Sequence, residues 1–275
     1  MLSRSCLFIG LAALLLLGAG FYGIARWAYR SLEKAGSGWE STLMRWEESL
    51  GEPLWEDIQR SHPPITNERS TLALDRLFDR LCTPNGIDTA GLHRHLIQNP
   101  EVNAFALPGR RLVVQSGLLQ SAQGPDEVAG VLAHELAHAE LSHVRQKIIK
   151  EAGLSLLMAW ISGGLGLGHP GIHDLARMLT STAFDRQLES QADRKAVEYL
   201  TKAGINPEAF AVFMDRLAAK EKGEPAPPVW LSTHPSSPVR ASRIRRLAPN
   251  KQGKISFSPS LSDTDWTALK NSTNP

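Results

Sequence analysis

The chain has 275 residues, 42% hydrophobic and 21% charged, which describes a folded protein with a real core and excludes global disorder. That length suits an anchor plus one compact domain, not two large domains. Thirty basic against 28 acidic residues leave a net charge of +2, too even for a nucleic-acid-binding surface, so no nucleic-acid partner is expected.

No charged residue occurs from Cys6 through Ala25, and about 20 apolar residues match the hydrocarbon core of a bilayer. Residues 1–30 therefore read as a single-pass membrane anchor. The alternative is a cleaved signal peptide, with Gly18 and Gly20 before the cut, although such apolar regions typically run about 7–15 residues. Arg4 precedes the run and Arg26, Arg30 and Lys34 follow it, a balance that leans weakly toward a cytoplasmic C-terminal side. Cys6 lies inside this run and Cys82 outside it, so a disulfide between them is not expected, and cysteine usage leaves the compartment open.

Residues 31–68 hold Trp39, Trp46, Trp55 and the Pro63-Pro64 break, and read as a juxtamembrane helix followed by a linker. The tryptophans suit either a membrane interface or packing on the following domain. A domain is expected over 69–248. Its first helix is predicted over Thr71–Leu81, where Leu74, Leu77, Phe78 and Leu81 recur at helical spacing, and Thr83-Pro84-Asn85-Gly86 closes it as a turn. Leu92–Gln98, Val102–Leu107 and Arg111–Gln115 are extended pieces separated by Asn99-Pro100 and Pro108-Gly109, predicting a small antiparallel sheet. His93 and His95 alternate on one strand face and are read as surface or packing residues, since no acidic or cysteine partner is spaced for a metal. From Gly124 the chain turns helical. Pro125 suits the first helical turn, and Asp126 and Glu127 suit the positive end of the helix dipole. Ala152–His173 is uncharged and glycine-rich in its second half; it reads as an apolar helix over Leu154–Ile161 and a loop over Gly163–Gly171, with a second span or plain core as alternatives. Helices are expected over about 174–203, 207–220 and 236–247, and residues 249–275 as a polar, mobile tail. The fold class is thus mainly α, with a small sheet beside the helix described next.

That helix carries His134-Glu135-Leu136-Ala137-His138. Residues four apart lie about 40° apart around a helix, so both imidazoles can reach one ion. Zinc takes nitrogen and oxygen ligands tetrahedrally and, in a catalytic site, keeps one position for water. Glu135 is placed to take a proton from that water and give it to the leaving amine. For a third ligand, His143 follows His138 by five residues, about 140° around an unbroken helix, and is expected to face solvent or a second layer. Glu189 fits better: in Glu189-Ser190-Gln191-Ala192-Asp193 the two acids share one helix face, Glu189 toward the metal and Asp193 toward the free N–H of a ligating histidine, here His134. Taken without the upstream motif, the two acids would only face solvent beside Arg186 and Arg194. One zinc per chain is expected.

With Asn103-Ala104-Phe105-Ala106-Leu107-Pro108-Gly109 before the His134–His138 motif, and Glu189–Asp193, Ala196 and Thr233-His234-Pro235 with Arg240 after it, the chain resembles the gluzincin metallopeptidases of the HtpX, BepA and CAAX prenyl protease family over residues 70–248. The resemblance implies a gluzincin fold and zinc-dependent hydrolysis of peptide bonds in polypeptide substrates, membrane-associated or misfolded, in protein quality control. It implies that Asn103, Ala104 and Phe105 border the substrate cleft, that Arg240 lies close to the active site as a further substrate-binding residue, and that His234 polarises the scissile carbonyl or steadies the oxyanion, with a purely structural turn as the alternative for His234. The single-anchor branch of the family further implies a periplasmic catalytic domain. Arg110 departs from the family's usual Pro-Gly-Gly and puts the cleft rim in question. Two other functions stay open on sequence: a non-proteolytic chaperone or assembly factor that binds clients in the same cleft, and a structural zinc site, which would want a fourth protein ligand. Oligomeric state is not legible.

Overall fold

The computed structural model describes residues 37–161, 170–221, 228–235, 238–249 and 256–272; the expected anchor over 1–30 and most of the expected 163–171 loop lie outside them. Among the described residues no helix is long and apolar enough to cross a membrane. The chain divides between Trp46 and Glu47, and the larger unit, Glu47–Pro275, contains the site.

Helix α1 spans Ser37–Ser61. Within the larger unit its Leu50, Leu54, Trp55 and Ile58 form one buried stripe, and Trp55 stacks on His95 at 3.7 Å between ring centroids. His95 is therefore a packing residue. Helix α2 (Glu68–Cys82) starts where the Asn67 side chain accepts from the Arg69 and Ser70 amides, and ends in the expected turn, with Gly86 left-handed at φ 66°. It buries Leu74, Leu77, Phe78 and Leu81, each stabilising by roughly 1.5–3 kcal/mol.

Three strands follow: β1 (His93–Ile97), β2 (Ala104–Leu107) and β3 (Arg111–Gln115), in the order β1-β3-β2. The sheet is mixed rather than antiparallel. β2 and β3 form the expected antiparallel hairpin, but β1 runs parallel to β3, with His95 opposite Val113. The fully buried β3 takes the centre, and β1, whose His93 end is exposed, takes an edge. The hairpin turns through Gly109 and Arg110, both left-handed. Arg110 tolerates this because its guanidinium is tied to Glu140 Oε1 at 2.9 Å and to the Asp88 carbonyl at 2.7 Å.

Beyond α3 (Ser116–Ser121), helix α4 (Pro125–Glu140) is buried from Glu127 to His138. It packs against β2, α7 (Arg186–Lys202) and α8 (Glu208–Glu221). Gly130 allows the α8 approach: a Cβ there would lie 2.4 Å from that of Phe210. Helix α5 (His143–Ile161) follows after a break at Ser142, whose φ is 54°. The expected long helix over 174–203 is two helices, α6 (Pro170–Ser181) and α7. At their junction the Thr180, Ser181 and Thr182 hydroxyls bond back to the carbonyls of Ala176, Arg177 and Met178, competing with the helix ladder.

Helix α9 (Val229–Thr233) and α10 (Pro238–Leu247) complete the site region. The expected polar tail carries a further helix, α11 (Asp263–Asn271), capped by Ser262 and docked on α2 through Ser70 Oγ to the Ala268 carbonyl.

Candidate metal centre

Two helices present the expected residues one turn apart, His134 and His138 on α4, Glu189 and Asp193 on α7. His234 arrives at the end of α9, its amide donating to the Trp230 carbonyl at 2.8 Å. One ligand atom from each of His134, His138, Glu189 and His234 lies within 4.8 Å of the others. The two Nε2 atoms of His134 and His138 are 3.1 Å apart. Glu189 Oε1 is 3.3 Å from His138 Nε2 and 2.8 Å from His234 Nδ1, and Glu189 Oε2 is 3.5 Å from His134 Nε2. All four side chains are buried, as is Glu135.

The donor set is that of zinc, nitrogen and carboxylate oxygen. Two converging imidazole nitrogens facing one carboxylate cannot all be satisfied by one another, and Glu135 Oε2 is buried beside them without a partner. These residues fit a zinc ion.

The surroundings fix the ligand candidates. Asp193 Oδ1 lies 3.2 Å from His134 Nδ1, as expected for a carboxylate behind a ligating histidine. Arg240, expected close to the active site as a substrate-binding residue, is buried against carboxylates: it donates to both Asp193 oxygens at 2.9 and 2.7 Å, lies 2.7 Å from Glu189 Oε2 and donates to the His234 carbonyl at 3.0 Å. Burial alone would push His134 down, but Glu189 and Asp193 override it and carry the imidazole up to about 9. Burial holds His138 well below the ordinary histidine value. Against burial, His234, Arg240 and His134 hold Glu189 well below the carboxylate range, and His134 with Arg240 hold Asp193 down at about 2.

Three residues at the site escaped the sequence reading. The Trp230 indole N–H donates to Glu135 Oε1 at 3.1 Å, while its ring stacks on His234. Phe184, in the α6–α7 junction, also stacks on His234, and its ring centroid lies 4.1 Å from that of His138. The buried Lys147 sits 4.3 Å over Phe184 and donates to the Leu179 and Thr182 carbonyls at the end of α6. No local pattern announces any of them.

Asn103, Ala104 and Phe105 are buried, at and inside the edge strand β2. Asn103, Phe105 and Gln115 line a groove of about 470 Å³ shared with Val229 and Ser232 of α9. His143, expected to face solvent or a second layer from an unbroken helix, takes the second layer: it is buried with its Nδ1 3.1 Å from His138 Nδ1, because a break at Ser142 redirects the chain.

Over 201 residues the chain is 30% identical to the mitochondrial metalloendopeptidase OMA1 of Schizosaccharomyces pombe, covering 73% of this chain and 59% of that one. It is 28% identical over 231 residues to the beta-barrel assembly-enhancing protease of Escherichia coli K12, covering 79% of this chain and 47% of the relative. With the metalloendopeptidase OMA1 of Homo sapiens it shares 29% over 195 residues, 62% and 35% of the two chains. The chain spans no more than 59% of the length of any of the three. Residues 68–248 match peptidase family M48, and with a zinc-type donor cluster inside that stretch the chain belongs to this family.

Proposed function

We propose that the chain is a zinc-dependent metalloendopeptidase in which His134, His138 and Glu189 hold the metal and Glu135 is the general base. The observation that carries this is the convergence of those three side chains, with the buried carboxylate of Glu135 beside them, within a family of peptidases. Zinc held there supplies a Lewis acid that polarises the scissile carbonyl and acidifies water. Glu135 has one oxygen fixed by Trp230 and the other free, and the free Oε2 takes the proton of the attacking water and returns it to the departing amine nitrogen. Asp193 fixes His134 with its hydrogen on Nδ1, leaving Nε2 for the metal.

His234 stands where a fourth ligand would, 2.8 Å from Glu189 Oε1, so its proposed duty at the oxyanion requires the ring to turn from Glu189 when substrate enters. Trp230, four residues earlier on α9, stacks on that ring and keeps its bond to Glu135. We place the substrate as an extended polypeptide along β2, bordered by Asn103, Ala104 and Phe105, where the edge strand offers backbone groups for pairing. Membrane-associated or misfolded proteins are the proposed substrates and quality control the proposed role, with residues 1–30 as a membrane anchor and the domain periplasmic; one relative's name, a protease that enhances β-barrel assembly, supports this.

The test is cleavage of casein by the purified full chain before and after zinc removal and restoration. Glu135→Gln should retain zinc and fold yet lose nearly all hydrolysis, because an amide is no base at neutral pH. Zinc-independent cleavage, or a variant as fast as the wild type, refutes the assignment; zinc binding without cleavage favours a client-binding chaperone.

A further inference from the structure

We infer that His143, oriented by Gln191, is a positioning residue that fixes the tautomer of His138 and so presents His138 Nε2 to the metal; this rests on the metal-site reading above. Asp193 has that duty behind His134, but among the described residues the carboxylate contact of His138 is Glu189 at Nε2, and its Nδ1 faces His143. His143 fills the place.

The geometry begins with the chain break. Helix α4 stops at Glu140, Ser142 adopts φ 54°, and α5 starts afresh at His143. In a continuous helix a residue five positions on would sit about 140° around the axis, away from His138. The break instead brings the two rings edge to face with centroids 5.0 Å apart and the two Nδ1 atoms 3.1 Å apart, with both side chains buried. On its other side His143 Nε2 lies 3.0 Å from Gln191 Oε1, two residues beyond Glu189 on α7.

The direction of hydrogen bonding follows from what each atom can do. A carboxamide oxygen only accepts, so His143 carries its hydrogen on Nε2 and donates it to Gln191. The neutral His143 ring then has a bare Nδ1, which can only accept, so the hydrogen between the two rings belongs to His138 Nδ1. His138 Nε2 is left with its lone pair, 3.3 Å from Glu189 Oε1 and 3.1 Å from His134 Nε2, within the donor cluster. Reversed polarity would put the hydrogen on His138 Nε2 and block ligation there. The relay also ties the α4–α5 corner to α7, the two elements that bring the proposed ligands together. The two histidines are thereby unequal: His134 is backed by an anion, His138 by a neutral relay.

Two neutral substitutions at His143 separate orientation from space filling. His143→Phe fills the cavity but cannot accept, whereas His143→Gln offers an accepting oxygen at similar reach. With the full chain and zinc in competition with a chelator, His143→Phe should weaken zinc binding about 10–100-fold and His143→Gln should recover most of it. Gln191→Leu, at an exposed position where water partly replaces the amide, should weaken binding by about tenfold at most. Nitrogen-15 NMR of the zinc-free wild type should show the His138 hydrogen on Nδ1, and a mixture of tautomers in His143→Phe. Equal zinc affinity for the Phe and Gln variants, or a wild-type His138 hydrogen on Nε2, overturns the inference. Should His143→Phe not fold, the His143→Gln and Gln191→Leu affinities and the wild-type tautomer still decide it. A wild type that binds no zinc refutes the metal reading instead, and the tautomer of His138 then decides the relay alone.

Discussion

Replacing Arg240 by methionine removes the one cation that bridges two buried carboxylates of the site. The guanidinium makes two bonds to Asp193, lies 2.7 Å from Glu189 Oε2 and donates to the His234 carbonyl, while only 4% exposed itself. Methionine keeps much of the volume but leaves Glu189 and Asp193 facing each other with His134 between them and Arg243, half-buried and 3.8 Å from Asp193 Oδ2, as the remaining arginine. Breaking a buried ion pair from one side costs about 3–5 kcal/mol. For a domain of this size 1 kcal/mol shifts Tm by roughly 2–4 °C, so the zinc-free variant should melt about 6–20 °C below the zinc-free wild type. On the proposed ligand set zinc would neutralise Glu189 directly, so saturating zinc should recover a large part of the loss, leaving chiefly the Asp193 contact broken. Circular dichroism melts of both proteins, with chelator and with excess zinc, measure the two differences. A loss below about 1 kcal/mol, or the same loss with and without zinc, would show that Arg240 does not hold the carboxylate pair as argued.

Glu189→Ala should lower zinc occupancy at limiting metal, measured by metal analysis; full occupancy would move the third ligand elsewhere, with His234 the first to test. Asp193→Asn should be milder, weakening zinc binding about 10–100-fold, and an effect as complete as that of Glu189→Ala would exchange the two roles. Asp193 should also mark the acid limb of zinc-free stability. Its folded value of about 2 lies below the ordinary 3.8, so its contribution is present above that ordinary value and is lost as pH falls toward 2; Asp193→Asn should flatten denaturant midpoints across that window. Trp230→Phe keeps a ring against His234 but deprives Glu135 Oε1 of a donor, and should cost about 1.5–3 kcal/mol with zinc retained; an unchanged urea midpoint would refute that bond.

Local periodicity and capping carried the sequence reading a long way. The Leu74–Leu81 stripe, the Pro125 start of α4 and the pairs His134/His138 and Glu189/Asp193 are set by bonds and spacings within one or two helical turns, which one segment states by itself. The tail helix α11 was missed, since 249–275 read as a mobile tail: Ser262 ahead of Asp265 is a start signal, and Trp266 and Leu269 mark one face, but a short segment with few apolar residues becomes a helix only when α2 receives it. Tertiary structure alone decided the rest. Nothing in β1 says that it will run parallel to β3, since strand direction depends on which buried strand claims the centre of the sheet. The Ser142 break, where an unbroken helix was expected, makes His143 the direct partner of His138, and a left-handed serine has no local pattern to announce it. Trp230 reaches Glu135 across 95 residues and His234 reaches Glu189 across 45. Such approaches are fixed by the packing of α9 on α6 and of α10 on α7 and α8, where the free energy lies in contacts between side chains that no window of sequence contains together.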